Sequence, residues 1–558
     1  MSIDKKNIKI AYFSMEIALE SGIKTYSGGL GILAGDILRS AADLKLPMVG
    51  VTLLSKEGYF RQKISDAGEQ VEFPADDYDF SRLKKLKETV IIKIGSEKVK
   101  VGAWQYIIKG VSEFEVPILL LDTDLSGNSE NARAITSRLY GGNKDYRLLQ
   151  ETVLGRGGYE FLKAADYKIN KFHINEGHGS FVAVAKFLDS KAKDIPAKVR
   201  AAREACVFTT HTPVKMAHDI FSLEKVVACQ KDFPHQLPGL LHNNLVNMTH
   251  IGLYFSNYIN GVALSHKELS TKMFPGYPIH CVTNGIHSQT WTAPEFQALF
   301  DKHLPNWRNS SLSLRNAFSL STSDIWRAHQ GAKKRLLALI KKKTGQSFDL
   351  DTFTIGFARR FTAYKRPTLL LSDMERLLAV QSRSGKIQIV YGGKAHPLDE
   401  EGHRLIAKVN QLSAKYKQEI KIAFIEGYEM NLAKTIIAGV DLWVNTPLPP
   451  NEASGTSGMK AAHNGVPQLS SFDGWWREGY IKGKTGWTIR GEKIEGPGSQ
   501  DEKDAISLYN LLEKDIIPIY YQQPETWRKI MRFTIGINAS FFNTERVLRE
   551  YAQNAYLS

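Results

Sequence analysis

The stretch "FTIGFARRFTAYKR" (residues 353–366) runs from a short, largely apolar segment straight into four cations: Arg359, Arg360, Lys365 and Arg366. A short apolar run that ends in charge reads as a strand buried on both faces. Three runs of the same kind follow: "IQIVYGG" (387–393), "IKIAFIEG" (420–427) and "VDLWVNTP" (440–447). Helix-length segments separate them. That β-α-β rhythm predicts a parallel sheet covered by helices. In open α/β sheets ligands bind beyond the carboxyl ends of the strands. The loops there read "ARRFTAYKR", "YGGK", "EGYEM" and "NTPLPPNEASGTSGMK", gathering glycine, arginine, lysine and acid.

Working outward, the first half is less regular. A strand is expected at 8–14, a glycine loop at 27–31 and a helix near 32–45. "TVIIKIGSEKVKVGAWQYIIKG" (89–110) alternates as antiparallel strands do, and "VPILLLDTD" is an apolar run behind it. Shorter β-like runs at "ACVFTTHTP" and "IHCVTNGI" alternate with helical stretches. The polar segment "HLPNWRNSSLSLRN" (303–316) is the expected hinge between two halves. Two such sheets facing one another would enclose a cleft at the domain boundary.

Composition narrows the class. A chain of 558 residues, 43% apolar and 23% charged, is too long for one ordinary core and suits a globular enzyme of two or three domains. No apolar run approaches the roughly 18 residues of a membrane span. The opening "MSIDKKNIKIAYFSMEIA" lacks the features of a signal peptide. Cys206, Cys229 and Cys281 are scattered and without metal-ligand spacing, which fits a reducing cytoplasm. The formal charge of +15 invites an acidic partner. The basic residues are dispersed, however, and no nucleic-acid-binding signature occurs, so solvated basic faces and an anionic substrate are the expectation.

Each motif has a functional and a plain reading. Four cations as close as those of 359–366 repel one another unless an anion or solvent compensates. At a strand's carboxyl end they point to one or two phosphates; elsewhere they would be a solvated face. "YSGGLGILAGD" (26–36) matches the dinucleotide fingerprint only weakly, since a dozen residues separate it from its strand. It reads better as a glycine loop entering a helix whose backbone N–H groups hold a phosphate, or as a structural turn. "HINEGHGSF" (173–181) fits neither zinc-protease spacing, so no metal is expected. His211 in "TTHTPV" follows an expected strand and faces either a cleft or the core. In "NEASGTSGMKAAHNG" (451–465), small residues allow close backbone approach to a ligand, and Lys460 ends the run. That lysine is a solvated cation, a phosphate partner or an amine for covalent chemistry.

"NEASGTSGMK" resembles the cofactor-lysine segment of the α-glucan phosphorylases, E-A-S-G-T-x-x-M-K. "GGLGILAGD", "INGVALSHKEL", "TNGIHSQTW", "ARRFTAYKR", "GGKAHP", "IEGYEMNLAKTIIAGVDL" and "FNTERVLREYAQNAY" are similar to that family's other signatures, in the same order. The resemblance covers residues 10–556 and implies a GT-B architecture: two Rossmann-like α/β domains whose parallel sheets face an inter-domain cleft, with a C-terminal helix crossing back. The implied domains are 1–310 for glucan binding, 311–530 for the cofactor, and 531–558 packing on the first. It implies pyridoxal 5'-phosphate held by Lys460 as a Schiff base. Gly29, Trp291, Arg359, Tyr428, Thr456 and Ser457 would surround that cofactor. Arg360 and Lys365 would hold the substrate phosphate. Asn284, His211, Tyr364, Glu452, Ser454 and Gly455 would bind the transferred glucose, and Lys460, Arg360, Lys365 and His211 form the catalytic set.

The implied activity is that of a 1,4-α-D-glucan:phosphate α-D-glucosyltransferase. Such an enzyme acts on an α-1,4-glucan or maltooligosaccharide and inorganic phosphate, releasing glucose 1-phosphate with retention. The cofactor phosphate serves as proton donor and acceptor. The family suggests a homodimer, with neither nucleic acid nor membrane as partner. Three departures stand out. Ser457-Gly458 replaces the Gly-Asn of longer members, Glu429 stands where arginine is usual, and the sequence reads as a short type without the N-terminal regulatory region, so control through that region is not expected. The rivals are a sugar-nucleotide glucan synthase of the same fold, which needs no lysine at 460, and a catalytically silent glucan-binding protein.

Overall fold

The apolar runs of the second half fold into one fully parallel sheet. Its order is Lys421–Ile425, Ile387–Gly392, Phe353–Ala358, Leu442–Asn445, Gln468–Ser471, Gly486–Ile489. Numbered along the chain this is 3-2-1-4-5-6, the doubly wound order. It places a crevice between Phe353–Ala358 and Leu442–Asn445, where the winding reverses. All six residues of Phe353–Ala358 and of Ile387–Gly392 are buried, as strands covered on both faces require. The computed structural model of the chain describes residues 7, 9–75, 78–214, 218–241, 243–490 and 498–557.

The chain divides into two compact units. The second comprises Arg61–Phe73 and Asn284–Arg546; the first comprises Met1–Phe60, Pro74–Thr283 and Val547–Ser558. This moves the boundary expected at 310/311 to 283/284. The reason is visible in the supposed hinge: Leu304, Trp307 and Leu314 are buried in the second unit's core with Phe296 and Phe300. The polar look of 303–316 hid three core residues spaced among serines and asparagines. The second unit also takes in a hairpin from the N-terminal half, Arg61–Ile64 paired with Gln70–Phe73. Gln62 fastens it, donating to Gly393 O at 2.7 Å and accepting from Gly427 N at 3.0 Å.

The first unit is built on a ten-stranded sheet. Seven strands run parallel in the order Ile279–Cys281, Tyr258–Gly261, Cys206–Thr209, Lys171–Asn175, Ile10–Phe13, Met48–Leu53, Glu115–Asp122. Antiparallel to the last lies Glu97–Lys109, which forms with Val90–Ile94 the hairpin its alternation predicts. The closing residues Val547–Ser558 belong to this unit, a shorter piece than the expected 531–558. Val547, Leu548, Tyr551 and Ala555 are buried in its core. The Tyr551 hydroxyl meets Thr209 Oγ1 at 3.0 Å, and Tyr556 OH meets His173 Nδ1 at 2.7 Å.

Candidate functional site

In the second unit, the loops at the crevice converge on one carboxylate. Arg359, the first residue after Phe353–Ala358, donates from Nη2 to Glu452 Oε2 at 2.6 Å and from Nη1 to Asn445 Oδ1 at 2.9 Å. Lys365 Nζ donates to the same Glu452 oxygen at 2.5 Å and lies 4.4 Å from the centroid of the Tyr364 ring. Burial, with Arg359 alongside, pushes the Lys365 ammonium down to about 7. Burial alone would raise the Glu452 carboxyl, but Arg359 and Lys365 hold it at about 2. Two cations and one anion are thus held in a buried pocket, and an entering anion can take over Glu452's place.

The other two cations of the motif differ: Arg360 lies at the pocket's edge, close enough to act on Tyr364 and Lys365, and only Arg366 is committed elsewhere. Arg360 is exposed. Arg366 is buried on structural duty, paired with Asp501 at 2.9 Å and Asp504 at 2.8 Å and donating to the carbonyls of Thr446 and Pro447. The pocket's shape depends on Gly393, whose φ of 151° brings it against this loop. A Cβ there would stand 2.0 Å from Arg359 O.

Asn445 joins this pocket to the lysine segment. Its Oδ1 also accepts from Ser457 Oγ at 3.3 Å, and Ser457 in turn accepts from Trp443 Nε1 at 3.1 Å. Ser457 opens the short helix Ser457–Ala462, with Thr456 as its N-cap residue. Lys460 is buried in that helix with its Nζ 3.8 Å from the centroid of the Trp291 ring. Asn464 donates from Nδ2 to Trp291 O and to Lys460 O, both at 2.9 Å, and accepts from Ala293 N at 2.7 Å.

The segment 452–455 is braced from behind by Asp473. It accepts from Glu452 N and Gly474 N, each at 2.9 Å, while Trp475 N donates to Ser454 O at 2.9 Å. Burial pushes the Asp473 carboxyl up to about 6. Ser454 Oγ is buried without a hydrogen-bond partner, and Gly455 has φ 85°. Tyr428 donates to Ala358 O at 3.1 Å, and Asn284 is buried with its carbonyl taking Arg546 Nη2 at 3.1 Å.

These residues fit a flat aromatic aldehyde bearing a phosphate. Lys460 offers an amine, Trp291 a ring face, and Arg359 a guanidinium one asparagine away from the helix start. The orphaned Ser454 hydroxyl leaves a polar position for a ligand.

Gly29 and His211 lie in the first unit. Gly29 is exposed and begins the helix Gly29–Asp43. The N–H groups of Ser27 and Gly28 already donate to Glu16 Oε2, at 2.6 and 3.1 Å. An anion at this loop would find only the N–H groups of the first helical turn, a smaller donor set than the sequence suggests. His211 Nε2 meets Asn175 Oδ1 at 2.6 Å, and burial pushes the His211 imidazolium down to about 4.

Glu151, His178 and Asp219 bring ligand-type atoms within 4.8 Å of one another. Arg147 supplies the cation there, 3.7 Å from Glu151 and 3.4 Å from Asp219. Its guanidinium covers the Tyr140 ring at 4.3 Å, and Tyr140 donates to Glu16 Oε1 at 3.0 Å. Through Arg147, Tyr140 and Glu16 the cluster is connected to the glycine loop, while burial pushes the Glu151 carboxyl well above its usual range. Asn445, Asn464, Asp473 and Glu16 escape sequence reasoning, because each acts through contacts with residues outside its own motif.

A carbohydrate phosphorylase profile matches residues 222–478. The chain is 36% identical to a maltodextrin phosphorylase of Thermococcus litoralis, over 98% of this chain and 70% of that one. The chain belongs to the carbohydrate phosphorylase family. It is also 34% identical to a glycogen phosphorylase of Aquifex aeolicus, over 98% of this chain and 86% of the other. An uncharacterized protein of Methanocaldococcus jannaschii matches at 33%, over 98% and 99% of the two chains. In this carbohydrate phosphorylase the departure at 457–458 has a structural reason. A Cβ on Gly458 would stand 1.5 Å from Gln468 Oε1 and 2.9 Å from the Trp475 ring, so an asparagine there requires Gln468 to turn aside and the indole to give. Glu429 is exposed at the N-cap of Met430–Gly439 and makes no capping bond.

Proposed function

We propose that this protein is an α-glucan phosphorylase of GT-B architecture. It removes the terminal α-1,4-linked glucose of a glucan with inorganic phosphate and releases glucose 1-phosphate with retention. The observation that carries the reading is the pairing of a buried lysine on an indole face, Lys460 on Trp291, with a buried cation pocket at the same sheet edge. A sugar-nucleotide synthase has no use for the first of these.

In this reading Lys460 tethers pyridoxal 5'-phosphate, Trp291 and Tyr428 flank it, and Thr456, Ser457, Gly29 and Arg359 surround its phosphate. Bound there, the cofactor supplies a phosphate that gives and takes a proton beside the substrate phosphate. Arg360 and Lys365 receive the substrate phosphate. A dianion arriving beside Lys365 raises its ammonium pKa from about 7, so the cation is fully charged when it is needed. Glu452, released from its two cations, accepts from a glucose hydroxyl, with Asn284, His211, Tyr364, Ser454 and Gly455 completing the sugar's surroundings. Burial of the pocket keeps these charges strong.

The test is incubation of the purified, cofactor-loaded protein with maltooligosaccharides of graded length and inorganic phosphate. Glucose 1-phosphate should appear only when phosphate is present. Glucosyl transfer from a sugar nucleotide, with no glucose 1-phosphate from any glucan, would overturn the proposal.

A further inference from the structure

Glu176 follows the strand Lys171–Asn175 with φ 71° and ψ 165°, a region of backbone space that only glycine occupies without strain. Its own N–H still pairs with Thr209 O at 2.9 Å, so the chain turns sharply while tied to the sheet. The side chain explains what holds the strain. The buried Glu176 carboxylate accepts four hydrogen bonds. Oε2 takes the His211 backbone N–H at 2.7 Å and the Thr212 hydroxyl at 2.9 Å; Oε1 takes Gly177 N at 2.9 Å and the Thr249 hydroxyl at 3.4 Å.

The preceding residue, Asn175, meets the His211 ring nitrogen Nε2 at 2.6 Å. In an extended strand, consecutive side chains point to opposite faces, so Asn175 and Glu176 would not reach the same residue. The positive φ at Glu176 breaks that alternation. It swings the carboxylate to the side where Asn175 already holds the imidazole. Glycine would adopt this backbone freely but bring no carboxylate, and glutamate in β conformation would carry its carboxylate away.

We propose that Glu176 is a positioning residue of the glucosyl site: its strained backbone and four-fold bonded carboxylate fix the His211–Thr212 segment so that the His211 ring keeps one orientation. The inference rests on the reading of His211 as a glucose-binding residue.

The experiment uses Glu176→Gly and Glu176→Gln in the full, cofactor-loaded chain. The glycine variant relieves the backbone but orphans the four donors, so its Tm should fall while the protein stays folded. Its kcat should fall about 100-fold, the scale of a displaced catalytic-site group, with KM for phosphate little changed. Glu176→Gln must turn an NH2 toward one pair of donors, and should lower both Tm and kcat. The 15N imidazole resonances of His211, assigned with a His211→Gln variant, should be single and sharp in wild type and broadened or split in Glu176→Gly. A folded Glu176→Gly protein with wild-type kcat and an unchanged His211 resonance would overturn the proposal. If wild type itself makes no glucose 1-phosphate, the phosphorylase reading fails and the resonance alone decides: broadening supports the clamp, an unchanged line refutes it.

Discussion

Lys460 and Trp291, 169 positions apart in the chain, are held together by one amide: Asn464 donates to both of their carbonyls at 2.9 Å, leaving the lysine amine 3.8 Å from the indole centroid. Amine and ring are therefore placed as a unit. Borohydride reduction in the presence of pyridoxal 5'-phosphate, followed by peptide mapping, should put the adduct on Lys460. Lys434, whose Nζ is 5.9 Å from the same ring, is the telling control. An adduct there would overturn the assignment. Asn464→Ala should weaken cofactor binding about tenfold or more, read by quenching of indole fluorescence, since each lost buried hydrogen bond costs about 1 kcal/mol.

Phosphate binding should be coupled to protons through Lys365. With the ammonium at about 7 in the free pocket, an anion beside it raises that value. Above pH 7, phosphate binding should therefore take up protons, and affinity should fall as pH rises further. Calorimetry in buffers of different ionisation enthalpy measures the uptake. Lys365→Met should abolish it, and an unaltered proton count in that variant would place the linkage elsewhere.

Gly458 should not accept a side chain. Gly458→Ala sets a methyl against Gln468 Oε1, and overpacking of this kind costs about 1–3 kcal/mol. The midpoint of urea unfolding should drop, and Gln468→Ala in the same chain should restore part of it. A Gly458→Ala protein as stable as wild type would show that the helix carrying Lys460 has room to shift.

Away from the site, Asp441 is fully buried between Lys333 Nζ at 2.6 Å and His329 Nε2 at 2.8 Å, and also takes Thr354 N at 2.7 Å. This brace ties the helix Thr322–Thr344 to the strand Phe353–Ala358. Lys333→Ala should destabilise by about 3–5 kcal/mol in chemical denaturation, because it leaves a buried carboxylate poorly compensated. Burial tends to raise the Asp441 carboxyl, but Lys333 and His329 hold it below its usual range. Its contribution is therefore present above pH 4 and is lost as pH falls through the depressed value, a loss that Asp441→Asn should remove from the acid-stability profile.

Much of the second unit was legible because its signals are local. An apolar run, a glycine or charge at its end, and a helix-length spacer recur without interruption, and period and spacing are properties of neighbouring residues. "FTIGFARR" and "VDLWVNTP" therefore announce both their strands and the loops that carry Arg359 and Asn445. The lysine segment was legible for the same reason: small residues, then Lys460, within ten positions. The division of roles within "RRFTAYKR" was not. Arg359 and Lys365 share Glu452 while Arg366 meets Asp501 and Asp504, partners 93, 87, 135 and 138 residues away in sequence.

By itself, the sequence determined the class of fold, the strands of the doubly wound sheet and the residues able to handle a phosphate and a carbonyl. Those follow from hydrophobic period and side-chain chemistry, which each segment carries alone. Tertiary structure alone decided that 303–316 is core rather than hinge, that 61–73 joins the second unit and 547–558 the first. It also decided that Glu16 claims the N–H groups of Ser27 and Gly28, and that Glu176 leaves β space to grip His211. Those outcomes depend on which distant groups meet in a space too small for water, where each buried donor and acceptor must find a partner.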